Sequence, residues 1–270
     1  MAVNFLDPES TTVANGILKR TTSSATPGKV VESSKDVSGI EIRMLPPFIK
    51  NNHTAPVLFF KGFAKMYCLT IVVSDATNQL AGNIDLKGFP RIGDNEYLPI
   101  NKTVFYWQSQ NDTDKAPNQV HVLCSVLKSK QALRDTGKIL GDIKNDEDYK
   151  GLVGDLGNIA KDAAKFNVVT DIMVQLASVV GKYMGNVEDK PIGTIINSYT
   201  TLHGDFDNPG ITPLVYATPD TDFHFEVVVR NKAAEEEVAK TLHGTRAGAS
   251  SKKTRSTSME EEVEVDMQPL

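Results

Sequence analysis

Three Asp-x-Asp pairs fall in polar stretches of this chain: Asp112-Thr113-Asp114, Asp205-Phe206-Asp207 and Asp220-Thr221-Asp222. Calcium takes about six to eight oxygen ligands, and carboxylates two residues apart in a loop can turn toward one ion. If two of these loops meet at one end of a fold, Asp112, Asp114, Asp205, Asp207, Asp220 and Asp222 make a candidate calcium site, and calcium is the one cofactor the chain suggests. The competing reading is turn chemistry, because Asp and Asn bond their own backbone and tolerate unusual dihedrals. His203 precedes Asp205 and Asp207, and an imidazole with two carboxylates could hold a transition metal or act as a base.

Catalytic chemistry finds less to work with. His53, His121, His203, His224 and His243 are dispersed, with no His-Glu-x-x-His pair and no Gly-x-Ser-x-Gly elbow. Gly181-Lys182 lacks the upstream Gly and following Ser/Thr of a phosphate loop. No nucleophile and base can be paired, so the expectation is a non-enzymatic protein. Cys68 and Cys124 each sit inside an expected strand, too few and too far apart for a disulfide framework or a cysteine zinc site, and read as buried free thiols.

The elements that must position these residues are mostly strands. Asp220 to Arg230 carries Phe223, Phe225, Val227 and Val229 at period two, with His224, Glu226 and Arg230 mostly on the other face. Ala64 to Ser74 is almost continuously apolar and β-branched, which suits a buried central strand. Ile40, Ile42 and Met44 alternate until Pro46-Pro47, which is expected to stop that strand. Val57 to Phe60 is a further short apolar segment. Asp75 to Pro99 reads as loop with a short edge strand at Ile84-Asp85-Leu86. Thr103 to Gln108 and Gln119 to Leu127 read as a long-tipped hairpin, and Gly193 to Thr200 and Leu214 to Ala217 as later strands.

From Ser129 to Gly185 the period changes. Leu152, Leu156, Ile159, Ala160 and Ala163, then Val169, Ile172, Met173, Leu176, Val179, Val180 and Tyr183, recur at helical spacing and predict two helices with a weak point near Asn167. The stripe that includes Phe166, Met173, Tyr183 and Met184 either covers a face of a sheet or presents a face to a partner or a membrane surface.

Together these patterns predict a mainly β protein: an antiparallel β-sandwich, C2-like or jelly-roll-like, of about seven to eight strands, with a helical insertion at about 148–185. The domain is expected over 39–231, between a flexible Ser/Thr-rich arm at 1–38 and a disordered charged tail at 232–270. In that tail a basic block with Lys252, Lys253 and Arg255 lies between acidic runs and compensates them. Aspartate loops on such a sandwich resemble, at the level of architecture only, the C2-type domains that bind calcium and lipid headgroups.

A net charge of -5 and a pI near 5.6 disfavour nucleic acid as a partner. With no apparent signal peptide, the expected compartment is cytoplasmic or otherwise intracellular, although non-standard export leaves no such signal. The functional expectation is a binding or interaction module acting through sandwich loops or the helical insertion, possible partners being another protein or a membrane surface. The alternative is a self-assembling coat, shell or filament subunit with flexible arms.

Overall fold

Continuous and alternating apolar patterns sort the strands into two sheets. The computed structural model describes residues 11–13, 37–56, 61–76, 82–111, 114–130, 133–159, 166–184 and 190–232. Residues 1–231 form one unit and 232–270 a second, of which only Lys232 is described. The expected strand Val57 to Phe60, and nearly all of the expected arm and tail, lie outside the described residues.

Sheet A runs in the order β1 (Thr11–Val13), β8 (Lys190–Thr200), β7 (Gln119–Ser129), β3 (Ala64–Ser74), β4 (Gly82–Ile92). Its pairings are antiparallel except β1 beside β8. In sheet B, β2 (Val37–Ile49) lies between β10 (Thr221–Asn231) on one side and both β5 (Glu96–Tyr97) and β6 (Lys102–Gln108) on the other. β9 (Gly210–Ala217) is the outer neighbour of β10. β5 and β6 behave as one interrupted edge strand. Leu98 N donates to Pro47 O at 2.8 Å and Ser109 N to Ser38 O at 2.9 Å, so antiparallel pairing with β2 continues across the interruption and past its end, with the register stepping between Ile42 and Arg43 and again before Phe48.

The sheets face each other across a core that includes Ile40, Ile42 and Met44 of β2, Phe223, Phe225 and Val227 of β10, and Val122, Cys124 and Val126 of β7. Each large apolar side chain buried there contributes roughly 1.5–3 kcal/mol relative to exposure. A second core lies on the opposite face of sheet A. Tyr67, Leu69, Ile71 and Val73 of β3 and Leu123 and Leu127 of β7 pack there with the helices. β3 is therefore buried on both faces, which is why its sequence shows almost no polar alternation.

The insertion holds three helices: α1 (Thr136–Asn145), α2 (Glu147–Ile159) and α3 (Phe166–Met184). α3 turns Val169, Ile172, Met173, Leu176, Val180 and Met184 into the second core, so its stripe covers a sheet. The insertion starts earlier than the sequence pattern places it, because α1 buries only Ile139 and Ile143, too sparse a period to stand out. Its start is fixed instead by Asp135, whose carboxylate accepts from Gly137 N and Lys138 N. Asp146 receives Tyr149 N at the start of α2 and the Tyr183 hydroxyl at 2.7 Å, joining α2 to α3. Among the described residues no helix is long and apolar enough to cross a membrane.

Three local expectations are corrected. Pro46-Pro47 does not end β2; the register between β2 and β10 shifts between Asp222 and His224, opposite the two prolines, so they sit at a bulge where the missing N–H groups break no regular ladder. Thr103 to Gln108 and Gln119 to Leu127 are not a hairpin: β6 pairs with β2 and β7 with β3 and β8, and the link between them crosses from one sheet to the other. Asp75 to Pro99 is less of a loop than expected, since β4 is a full edge strand of 11 residues.

Candidate interaction surface

Strand direction decides where each loop lies. β7 starts and β8 ends at one end of the sandwich, with Gln119 opposite Thr200. Asp75 is at the same end, its carboxylate accepting from Asn118 N, Asn118 Nδ2 and Gln119 N, each at 3.1 Å. Burial raises the Asp75 carboxyl above its ordinary value against the pull of these bonds. Asp114, Asp205 and Asp207 belong to this end. Asp114 accepts from Gln110 N at 2.6 Å and Asn111 N at 3.2 Å, and Asp205 accepts from Thr200 N at 2.9 Å with His203 Nδ1 at 3.9 Å. Asp207 follows a turn in which Gly204 has φ +70°, and its carboxylate lies 2.7 Å from where a Cβ on Gly204 would be. Asp112 lies outside the described residues.

Asp220 and Asp222 sit at the other end, in the tight turn from β9 into β10. The Asp220 carboxylate pairs with His53 Nε2 at 2.6 Å and its carbonyl accepts from Lys50 N, while Asp222 pairs with Lys50 Nζ at 3.0 Å. The third Asp-x-Asp pair is thus separated from the second by the length of the sheets. Among the described residues no three or more His, Cys, Asp or Glu side chains gather as a metal-holding group.

A different surface stands out on sheet B. Its inner face is core, while its outer face has no layer packed on it among the described residues. β9, at the edge, points Ile211 and Val215 outward, 60% and 61% exposed. Across the sheet Tyr97 is 60% and Tyr106 41% exposed, and the Tyr97 ring lies 5.0 Å from that of Phe48 and 6.3 Å from that of His224.

Between these apolar margins runs a row of ion pairs. The Glu41 carboxylate accepts from Arg43 Nε and Nη2 and from Arg230 Nη2, all at 2.9 Å, and from Thr103 Oγ1 at 2.6 Å. Arg43 also lies 3.7 Å from Glu226, and Arg230 stands over the Tyr106 ring at 5.8 Å. The bond from Arg43, opposed by burial and assisted by Thr103 and Arg230, holds the Glu41 carboxyl down at about 2. A carboxylate gripped by two guanidiniums is fixed in place, so the centre of this face is a rigid charged strip.

Sequence reasoning pointed to the loops and missed this face. A signal was present in β9: Ile211, Leu214, Val215 and Tyr216 put apolar groups on both sides of a strand too short and too interrupted by Pro213 to be central. On an edge strand that pattern leaves one apolar side outside. Compared with protein families and with curated proteins, the chain matches none.

Proposed function

We propose that the chain is a non-enzymatic interaction module whose working surface is the outer face of sheet B, and that its occupant is a second copy of the same chain. The observation that carries this reading is the outward pair Ile211 and Val215, large aliphatic side chains more than half exposed beside a charged strip and an aromatic margin. The surface is self-complementary in chemistry. Acidic and basic groups alternate along its centre with apolar margins on both sides, so a two-fold axis can set aliphatic against aromatic margin and Arg43 of one copy near Glu226 of the other. Its extent suits a dimer: strands of about 11 residues and four strand widths give roughly 700 Å², near the ~800 Å² per partner of a standard interface.

Light scattering on the full chain tests this. A dimer is expected, and Ile211→Asp combined with Val215→Asp should return it to monomer while circular dichroism shows the fold retained. A parent chain that stays monomeric at high concentration overturns self-association. Calcium enters only as a modulator of the end carrying Asp114, Asp205 and Asp207; a melting temperature and mass indifferent to millimolar calcium remove it.

A second reading, a coat, shell or filament subunit, draws support from β1. This three-residue strand lies parallel to the edge of sheet A, with Thr12 opposite Ile195, where a neighbouring copy could supply the same strand. It predicts an open series of masses that Thr12→Pro collapses, because proline cannot donate to the ladder. A single closed dimer indifferent to that substitution counts against it.

A further inference from the structure

The two ends of the sandwich differ in charge. One carries Asp75, Asp114, Asp205 and Asp207, while at the other each neighbouring strand of sheet A closes on a base. β4 carries Arg91 at its end, β3 starts with Lys65 and has Lys61 just before it, and Lys128 of β7 stands opposite Lys190 of β8. Among the described residues none of Lys61, Lys65, Arg91 and Lys128 has a carboxylate within ion-pair distance, and the first three are exposed. The acids of this end are engaged: Asp222 with Lys50, Asp220 with His53, and Asp94 with Asn52 N. Glu188-Asp189 precedes Lys190 in sequence, so the surplus of positive charge lies on β3, β4 and β7 rather than at the β8 corner.

This rim is held rigidly. Asn52 is fully buried, and its Nδ2 donates to Gly62 O and Ile92 O, both at 2.9 Å, tying the approach to β3 to the end of β4. Gly62 passes so close to residues 51–54 that a Cβ on it would lie 2.0 Å from Thr54 O. Lys128 Nζ donates to His53 O at 2.6 Å and to Thr54 Oγ1 at 2.8 Å. Burial, with the charge of Lys130 nearby, lowers the Lys128 ammonium below its ordinary value. Phe63, between Lys61 and Lys65, is 37% exposed, and the Arg91 guanidinium lies 3.8 Å from the centre of its ring.

We propose that this end of the sandwich docks, without calcium, on an anionic phospholipid surface: Lys61, Lys65, Arg91 and Lys128 meet the headgroups, and Phe63 enters the boundary beneath them. A single phosphate would engage one or two of these cations. Bases spread over three adjacent strands, at about 4.8 Å per strand, match a surface of repeating anions instead. Phe63 favours a membrane over a soluble polyanion. An exposed phenyl ring capped by a guanidinium has an apolar body and a charged top, which is the arrangement that suits a lipid boundary. The net charge of -5 is no obstacle, because screening over about 8 Å at physiological salt leaves the lipid to sense the end that faces it. The aspartate end then points away.

Sedimentation of the full chain with phosphatidylcholine vesicles containing about 30% phosphatidylserine, in EDTA and about 0.1 M salt, tests this. At roughly fivefold per basic residue, four residues should bring half of the chain onto the vesicles near millimolar lipid. Pure phosphatidylcholine should bind about tenfold less or weaker still, and salt at about 0.5 M should release the chain. Lys65→Glu should lower binding by about tenfold or more, whereas Lys115→Glu, the same change of charge at the aspartate end, should leave it unchanged. Phe63→Ser should weaken binding several-fold without altering its salt dependence. Circular dichroism establishes that each variant is folded. Equal binding to the two lipids, a requirement for calcium, equal losses in the two lysine variants, or no binding at all overturns the proposal. A chain that holds heparin as well as vesicles, with Phe63→Ser indifferent, is a polyanion binder, and the membrane reading falls.

Discussion

Sheet A and sheet B are built from strands of similar length and end in opposite situations. β3 and β7 are sealed on both faces, by the other sheet and by the helices, whereas β10 and β9 are sealed on one. Nearly every side chain of β3 and β7 is therefore committed to packing. Sheet B divides its residues between an inner row that stabilises and an outer row on which no layer packs among the described residues.

The most direct way to break that contrast is a pair of truncations. Leu69→Ala removes a fully buried side chain from the helix side of β3 and should cost about 2–5 kcal/mol in urea denaturation. Val215→Ala on β9 should stay within about 0.5 kcal/mol at a dilution that leaves the chain monomeric. Equal costs would mean that the outer face of sheet B is not open.

Acid sharpens the difference, because each sheet holds a titrating group with its own window. His121 on β7 is fully buried, bonded to Ser198 and Gln119, and burial depresses its pKa from 6.5 to about 4. Between those values the unfolded chain binds a proton that the folded chain refuses. Stability should therefore fall as pH drops from 6.5 to 4, by up to about 3 kcal/mol. His121→Gln should flatten that limb of a stability-versus-pH curve. Glu41 on β2 acts lower: its stabilisation is fully present above 4.5 and lost as pH falls toward 2. Glu41→Gln should cost about 1–3 kcal/mol at neutral pH, by weakening the grip on two guanidiniums, and flatten only the lower limb. A Glu41→Gln curve unchanged below pH 4.5 would show that the strip is not held as described.

The smallest effect on stability is expected at the proposed contact. Ile211→Asp with Val215→Asp should change the mass in solution at high concentration, yet leave the melting temperature within a degree or two at a dilution where the parent is monomeric, since in the single chain both side chains face water.

The periodicity of β10 and the nearly continuous apolar run of β3 announced the sandwich, because burial on one face or two is written directly into side-chain alternation. The crossing from β6 to β7 was not legible, as a polar stretch reads the same whether it closes a hairpin or links two sheets. β4 escaped because Gly88 and Pro90 mark loops by default, while an edge strand tolerates both. The aspartate pairs were visible as residues but not as places: which end a loop occupies depends on the direction of every strand before it. Thr11–Val13 carried no signal, since three residues are too few for a period.

The pairing of β2 with β10 sets a schedule. Val37 bonds beside Asn231, so the central pair of sheet B joins segments nearly the whole domain apart. At a synthesis rate of about 5–20 residues per second, Ile40, Ile42 and Met44 wait roughly 10–40 s on a growing chain before their β10 partners exist, with only β6 available to pair in the meantime. Sheet A, complete at Thr200, can assemble first and offer a template, and closure of sheet B then becomes the slow, long-range step. The nascent chain is most exposed to aggregation in that interval, and a chaperone that shields the β2 segment would matter most there.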